Sequence, residues 1–156
     1  MSTLAGAVMA AILQAWRERV VHRRSLRTRW DQMLLTGLVD YLATADRALR
    51  AMLRCRYERS AGQVEAGQAV REALEAFESL HEKSQVISVL AGDRDHPVRL
   101  AARLVREPML PLREDLLAEP TLSSDEVRQL VTQHREGRNQ LIRAAQTYLG
   151  VTDRLR

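Results

Sequence analysis

Between Arg17 and the turn at Ser60-Ala61-Gly62, nothing in this chain stops a helix. Across that stretch Trp30, Leu34, Leu38, Leu42, Ala45, Leu49 and Met52 recur in steps of three and four, the spacing of one face of an α-helix. Asp31, Asp40, Asp46, Arg47, Arg50 and Arg54 fall mostly off that stripe. Strands need a period of two, so the pattern commits the fold to the all-α class. Gly37 lies inside it, where glycine costs about 1 kcal/mol against alanine, and marks a position suited to a close helix crossing. Continued back through the apolar run that precedes Arg17, this helix would exceed fifty residues. Its N-terminal third would then project beyond its partners.

The rest of the chain supplies those partners. A second helix is expected over roughly Val64–Leu90, with Val70, Ala73, Leu74, Phe77, Leu80, Ser84 and Ile87 inward and Gly92 as its C-cap. Asp93-Arg-Asp-His-Pro97 is a turn leading into a helix, capped by Asp95 or His96, with Pro97 in a first turn that needs no amide donor. A third helix presents Val98, Ala101, Val105, Met109, Leu112 and Leu116; Pro108 and Pro111 should kink it or split it in two. After the linker 119–123, Ser123 and Glu126 form a capping box for a fourth helix, Ser124–Leu149. That helix turns Val127, Leu130, Val131, His134, Leu141, Ala145 and Tyr148 to its apolar side and stops at Gly150. Short links favour an antiparallel four-helix bundle over residues 30–151, with an elongated first helix projecting at its N-terminus. Residues 1–29 then form an apolar and Arg-rich extension, and 152–156 a frayed C-terminus.

Composition agrees. With 46% hydrophobic and 28% charged residues, the 156-residue chain can bury a core and is not disordered. Cys55 is the only cysteine, which excludes an intramolecular disulfide and fits a reducing compartment. Of 24 basic residues only Lys83 is a lysine; GC-rich coding explains that first, and a guanidinium-specific role second. Residues 1–60 carry eleven Arg against five acids, a net +6, whereas 61–156 carry thirteen Lys+Arg against fifteen acids, a net −2. The positive charge is therefore a patch: Arg17, Arg19, Arg23, Arg24, Arg27 and Arg29, with Glu18 the one acid among them.

Before that patch runs Thr3–Trp16, fourteen residues without a charge. As a helix they span about 21 Å, short of the ~30 Å hydrocarbon core of a bilayer. A secretory signal fits poorly, because the charges follow the apolar run instead of preceding it. Two readings remain: a membrane anchor or surface helix, with Trp16 at the interface and Arg17 and Arg19 reaching the headgroups, or a helix buried in protein. In either, Leu4, Val8, Met9, Ile12, Leu13 and Trp16 are the contact residues. Gly6, Ala10 and Gln14 add a small-residue face for helix pairing.

No constellation points to catalysis. Glu78 and His81 have the E-x-x-H spacing of carboxylate-bridged metal bundles, but no second copy exists, since Val131 stands three residues before His134. The pair reads as a solvated helix edge. His134 reads as a hydrogen-bonded core histidine, His22 belongs to the basic patch, and His96 to a turn. Cys55 lies among Arg54, Arg56 and Arg59, which could depress its pKa and make it reactive, yet no histidine pairs with it and it is not read as a nucleophile. Phosphate-binding glycine loops and nucleophile-elbow motifs are absent from the sequence. No catalytic residue, metal ligand or cofactor is therefore expected, and the chain does not read as an enzyme.

The apolar Leu4–Trp16 followed by Arg17–Trp30, the segment Asp40–Leu49 and the closing Leu141–Val151 together resemble a loose set of small, uncharacterised bacterial proteins. In that set an N-terminal membrane helix runs into an Arg-rich stretch and a long helix. The apolar run is shorter here than a full span, and Pro108 and Pro111 interrupt the third helix. The resemblance implies a cytoplasmic helical bundle anchored to, or lying on, the inner face of the plasma membrane, and it implies no activity. Three functions are thus in contention. The first is a non-enzymatic interaction module of that kind, binding a protein partner, with Arg17–Arg29 on anionic lipid. The second is a soluble homo-oligomer using Leu4–Trp16 as its interface. The third is a nucleic-acid binder using Arg17–Arg29 on phosphates, which lacks a named motif or aromatic interleaving.

Overall fold

The structure is a computed structural model that describes the backbone of residues 3–62, 66–118 and 121–149, and the side chains of 29–62, 67–118 and 121–149. It is all-helical, with no strand among the described residues. Its segments are α1 (Thr3–Ser60), α2 (Ala66–Ala91), α3 (Pro97–Arg106), α4 (Met109–Leu117) and α5 (Ser124–Tyr148). The chain divides into two compact units, residues 1–33 and 34–156, and the packing below is that of the second.

Local chemistry sets the helix ends. Gly62 and Gly92 follow α1 and α2 with φ of 67° and 75°, left-handed conformations that a Cβ disfavours. Of the two capping candidates before α3, His96 does the work: its Nδ1 accepts from Val98 N at 3.3 Å, and Pro97 takes the first position. The expected capping box is present on α5. Ser123 Oγ accepts from Glu126 N (3.2 Å), and Glu126 Oε2 accepts from Ser123 N (2.6 Å). Those bonds to Ser123 hold the Glu126 carboxyl below the usual carboxylate range.

The expected third helix is split into two short helices, and Pro108 alone of the two prolines stands at the break. α3 ends at Arg106, and Glu107 and Pro108 separate it from α4. Pro111 does not interrupt anything, because it falls in the first turn of α4, where no intrahelical amide donor is required.

The core joins Leu34, Leu38, Tyr41, Ala45 and Met52 of α1 to Phe77, Leu80 and Ile87 of α2, and to Val98 and Val105 of α3. Met109 and Leu112 of α4 and Leu141 of α5 complete it. Each such side chain contributes on the order of 2 kcal/mol by leaving water. Two residues expected inside are not. Trp30 is half-exposed, one turn before Leu34, where the core cluster begins. Tyr148, in the last turn of α5, is also exposed; its ring meets His96 edge-on at 4.7 Å instead of entering the core.

Glycine permits two close approaches. A Cβ on Gly37 would meet Ile87 Cδ1 at 3.3 Å, side chain against side chain, in keeping with the close crossing expected there. One on Gly137 would meet the backbone of α3, with Leu104 O at 2.4 Å and Val105 N at 2.9 Å. α5 therefore lies on α3 at a separation only glycine allows.

Buried polar groups fix the register of α1. Tyr41 Oη donates to Ala102 O of α3 at 2.7 Å, and burial pushes its phenol pKa far up. His134, 2% exposed, bonds Val105 O through Nδ1 at 2.9 Å and places Nε2 3.6 Å from Asp46 Oδ1, whose other oxygen lies 3.4 Å from Arg138. Asp115 pairs with Arg56 and accepts from the amides of Thr121 (2.6 Å) and Leu122 (2.9 Å). Burial alone would raise the Asp115 carboxyl, but the Leu122 and Thr121 amides and Arg56 outweigh it and hold the pKa below the usual range. Arg59 closes the end of α4 by donating to Leu116 O (3.0 Å) and Ala118 O (3.2 Å).

Candidate interaction surface

On α1 the apolar residues do not end at the edge of the core stripe. At 100° per residue, the arc from Tyr41 through Leu38 and Leu42 to Leu35 and Val39 covers roughly 160°, more than one covered face needs. α5 carries a matching excess at Ile142, Ala145 and Leu149. Between them lies a groove of about 250 Å³, floored by the buried Leu38 and Leu141. Leu35 (47% exposed), Val39 (62%) and Ile142 (37%) form its walls. Gln146 is the one polar lining residue, and none is charged. Such a lining offers apolar contact and carries no ionisable or nucleophilic side chain.

A second, wider depression of about 350 Å³ opens where the α3–α4 break faces α5, over Leu104, Pro108, Pro111 and Gly137. Glu107, Glu136, Gln133 and Gln140 stand around it as exposed side chains. Its shape follows from the proline break and the close Gly137 contact.

Cys55 is fully buried. Burial pushes its pKa up and prevails over the opposing Arg59 and Arg54. The Arg54 side chain is 64% exposed, and Arg59 is directed to the α4 carbonyls, so neither serves the sulfur. Glu78 lies 3.9 Å from Arg113, and His81 accepts from Arg106 at 2.8 Å on an exposed edge. His134 is the hydrogen-bonded core histidine expected. Among the described residues, no three metal-ligating side chains cluster.

Of the proposed phosphate or lipid ligands, Arg29 is exposed. The side chains of Arg17, Arg19, Arg23, Arg24 and Arg27, and of Leu4, Val8, Met9, Ile12, Leu13 and Trp16, lie outside the described residues, as do Gly150 and the 152–156 terminus. Among the described residues, no helix is long and apolar enough to cross a membrane. Sequence reasoning missed the groove itself, although Leu35 and Val39, spaced i and i+4 beside the core stripe, were a visible signal.

No family model, no curated protein and no solved structure matches this chain. Function has to be argued from the surface.

Proposed function

We propose that this chain is a non-enzymatic helical interaction protein whose contact surface is the uncharged groove between α1 and α5. The observation that carries this reading is the exposure of Leu35, Val39 and Ile142 around a groove without a charged residue, in a chain of which 28% is charged. Asp115, the buried acid among the described residues, is by contrast occupied in holding helices together, by Arg56 and two amides.

The scaffold that presents this face is an antiparallel four-helix bundle in which α3 and α4 together act as one rod. Cross-helix pairs support that topology. Asp40 pairs with Lys83 and Arg54 with Glu72, so α1 and α2 run in opposite directions. His81 meets Arg106 while Glu78 meets Arg113, which reverses the direction again, and His134 against Val105 with Tyr148 against His96 does so for α5.

A photo-cross-linking amino acid at position 39 of the full chain, in its native cells, tests the reading. Adducts should form there and not from position 94, in the exposed α2–α3 turn. A chain that forms no adduct from position 39 refutes it.

A membrane-surface role for the N-terminus accompanies this reading. α1 is helical from Thr3, so Leu4–Trp16 and Arg17–Arg29 belong to one helix, and no described helix can cross a bilayer. An apolar run followed by cations fits a helix lying on anionic lipid at the cytoplasmic face. The full chain should float with vesicles of phosphatidylglycerol and phosphatidylcholine and be released by joint Arg23→Glu and Arg24→Glu. Wild-type protein that stays in the soluble fraction ends that role.

A further inference from the structure

We propose that the α1–α5 groove is the two-fold interface of a homodimer, with Leu35 and Val39 of each copy seated in the groove of the other. The inference rests on the interaction reading above and commits it to one occupant, a second copy of this chain. A closed dimer interface sets a patch against itself, so the patch must be complementary to its own charge and shape. A charged lining would meet the same charge across the axis; this lining has none. One turn beyond Leu42 on α1 stands Asp46, one turn before Ile142 on α5 stands Arg138, and the two face each other at 3.4 Å, so the acid nearest the groove is matched within its own copy.

Shape agrees. Each copy offers both a ridge, the exposed Leu35 and Val39, and a furrow floored by Leu38 and Leu141, which is what helix faces need to interlock. A ligand held by charge would find no counter-ion in the groove. A single groove is small beside a standard interface, and interfaces below ~1,200 Å² are transient, so the dimer is expected to dissociate on dilution.

Sedimentation equilibrium on the full chain, carried up to several hundred micromolar, tests this. Wild type should show a monomer–dimer equilibrium. Val39→Asp and Val39→Arg should each be monomeric, because each sets like charges together across the axis. An equimolar mixture of the two should recover the dimer mass. Val39 is 62% exposed, so both variants should keep the wild-type melting curve, which circular dichroism verifies.

Three results overturn the proposal. Wild type could be a monomer throughout the range. The dimer could withstand both Val39 substitutions. Or it could be abolished by Ile12→Asp alone, which would move the interface to Leu4–Trp16. A monomeric wild type that still cross-links another protein from position 39 refutes the dimer and leaves the interaction reading standing, whereas no adduct at all refutes both.

Discussion

Gly137→Ala adds one methyl group at the point where α5 lies closest to α3. Ordinary contact begins at 3.4 Å, and the new Cβ would be 2.4 Å from Leu104 O and 2.6 Å from its carbonyl carbon. No side chain can rotate away, because every atom met is backbone. The helices must separate by about 1 Å, which would stretch the 2.9 Å bond from His134 Nδ1 to Val105 O towards 3.9 Å, beyond hydrogen-bonding range.

Overpacking of this kind costs about 1–3 kcal/mol, and a buried polar group left unpaired adds roughly 1–3 kcal/mol. Alanine returns about 1 kcal/mol of helix propensity. The net is a loss of about 3 kcal/mol, or a fall in Tm of roughly 6–12 °C for a chain of this size. Gly67→Ala is the control: nothing lies within 4 Å of a Cβ there, so propensity acts alone and stability should hold or rise slightly. Urea unfolding followed by far-ultraviolet circular dichroism measures both. If Gly137→Ala unfolds at the wild-type midpoint, or if the two variants shift in the same direction, the close α3–α5 crossing is wrong.

Asp115→Asn leaves Arg56 without its carboxylate partner and should cost about 3 kcal/mol at neutral pH, measured by the same denaturation. Because the folded pKa of Asp115 is depressed, its stabilisation is complete above the unfolded carboxylate value near 4. It disappears as pH falls through the lower folded value, so the gap between wild type and Asp115→Asn should close only below about pH 4. Tyr41→Phe removes the buried bond to Ala102 O at no change in packing, and should lower stability by about 1 kcal/mol in a urea titration. Lys83→Met breaks an ion pair whose side chains are 39% and 53% exposed; the unfolding midpoint should move by less than about 0.5 kcal/mol.

What could be read in advance was what is local. The capping box needs only Ser123 and Glu126, three residues apart, and the α1 stripe needs only its own period, so both were legible from the sequence. Pro111 was misjudged because its effect depends on where α4 begins, which follows from the break at Glu107 and Pro108. The influence of Arg54 and Arg59 on Cys55 was not legible for a related reason: the helix carries these neighbours in sequence towards solvent or towards the α4 carbonyls. The Arg56–Asp115 pair joins residues 59 positions apart, and no spacing rule reaches that far. Leu35 and Leu38 are alike in hydropathy; only the placement of α5 decides that one forms a wall and the other the floor.

The distribution of buried polar bonds bears on why the groove stays open. Tyr41 ties α1 to α3, and Arg56 and Arg59 tie it to α4 and the segment that follows, whereas the partly exposed Asp46 only stands 3.4 Å from Arg138 of α5. Towards α2, α1 makes the exposed pairs Asp40–Lys83 and Arg54–Glu72, which contribute little. An apolar contact tolerates sliding, whereas a buried hydrogen bond does not, since a shift of an ångström leaves both partners unsatisfied. α1 is therefore held in one register against α3 and α4 and more loosely against α2. A movement of α1 onto α5 that covered Leu35, Val39 and Ile142 would have to break the Tyr41, Arg56 and Arg59 bonds, and an incoming apolar ridge covers the same residues without doing so.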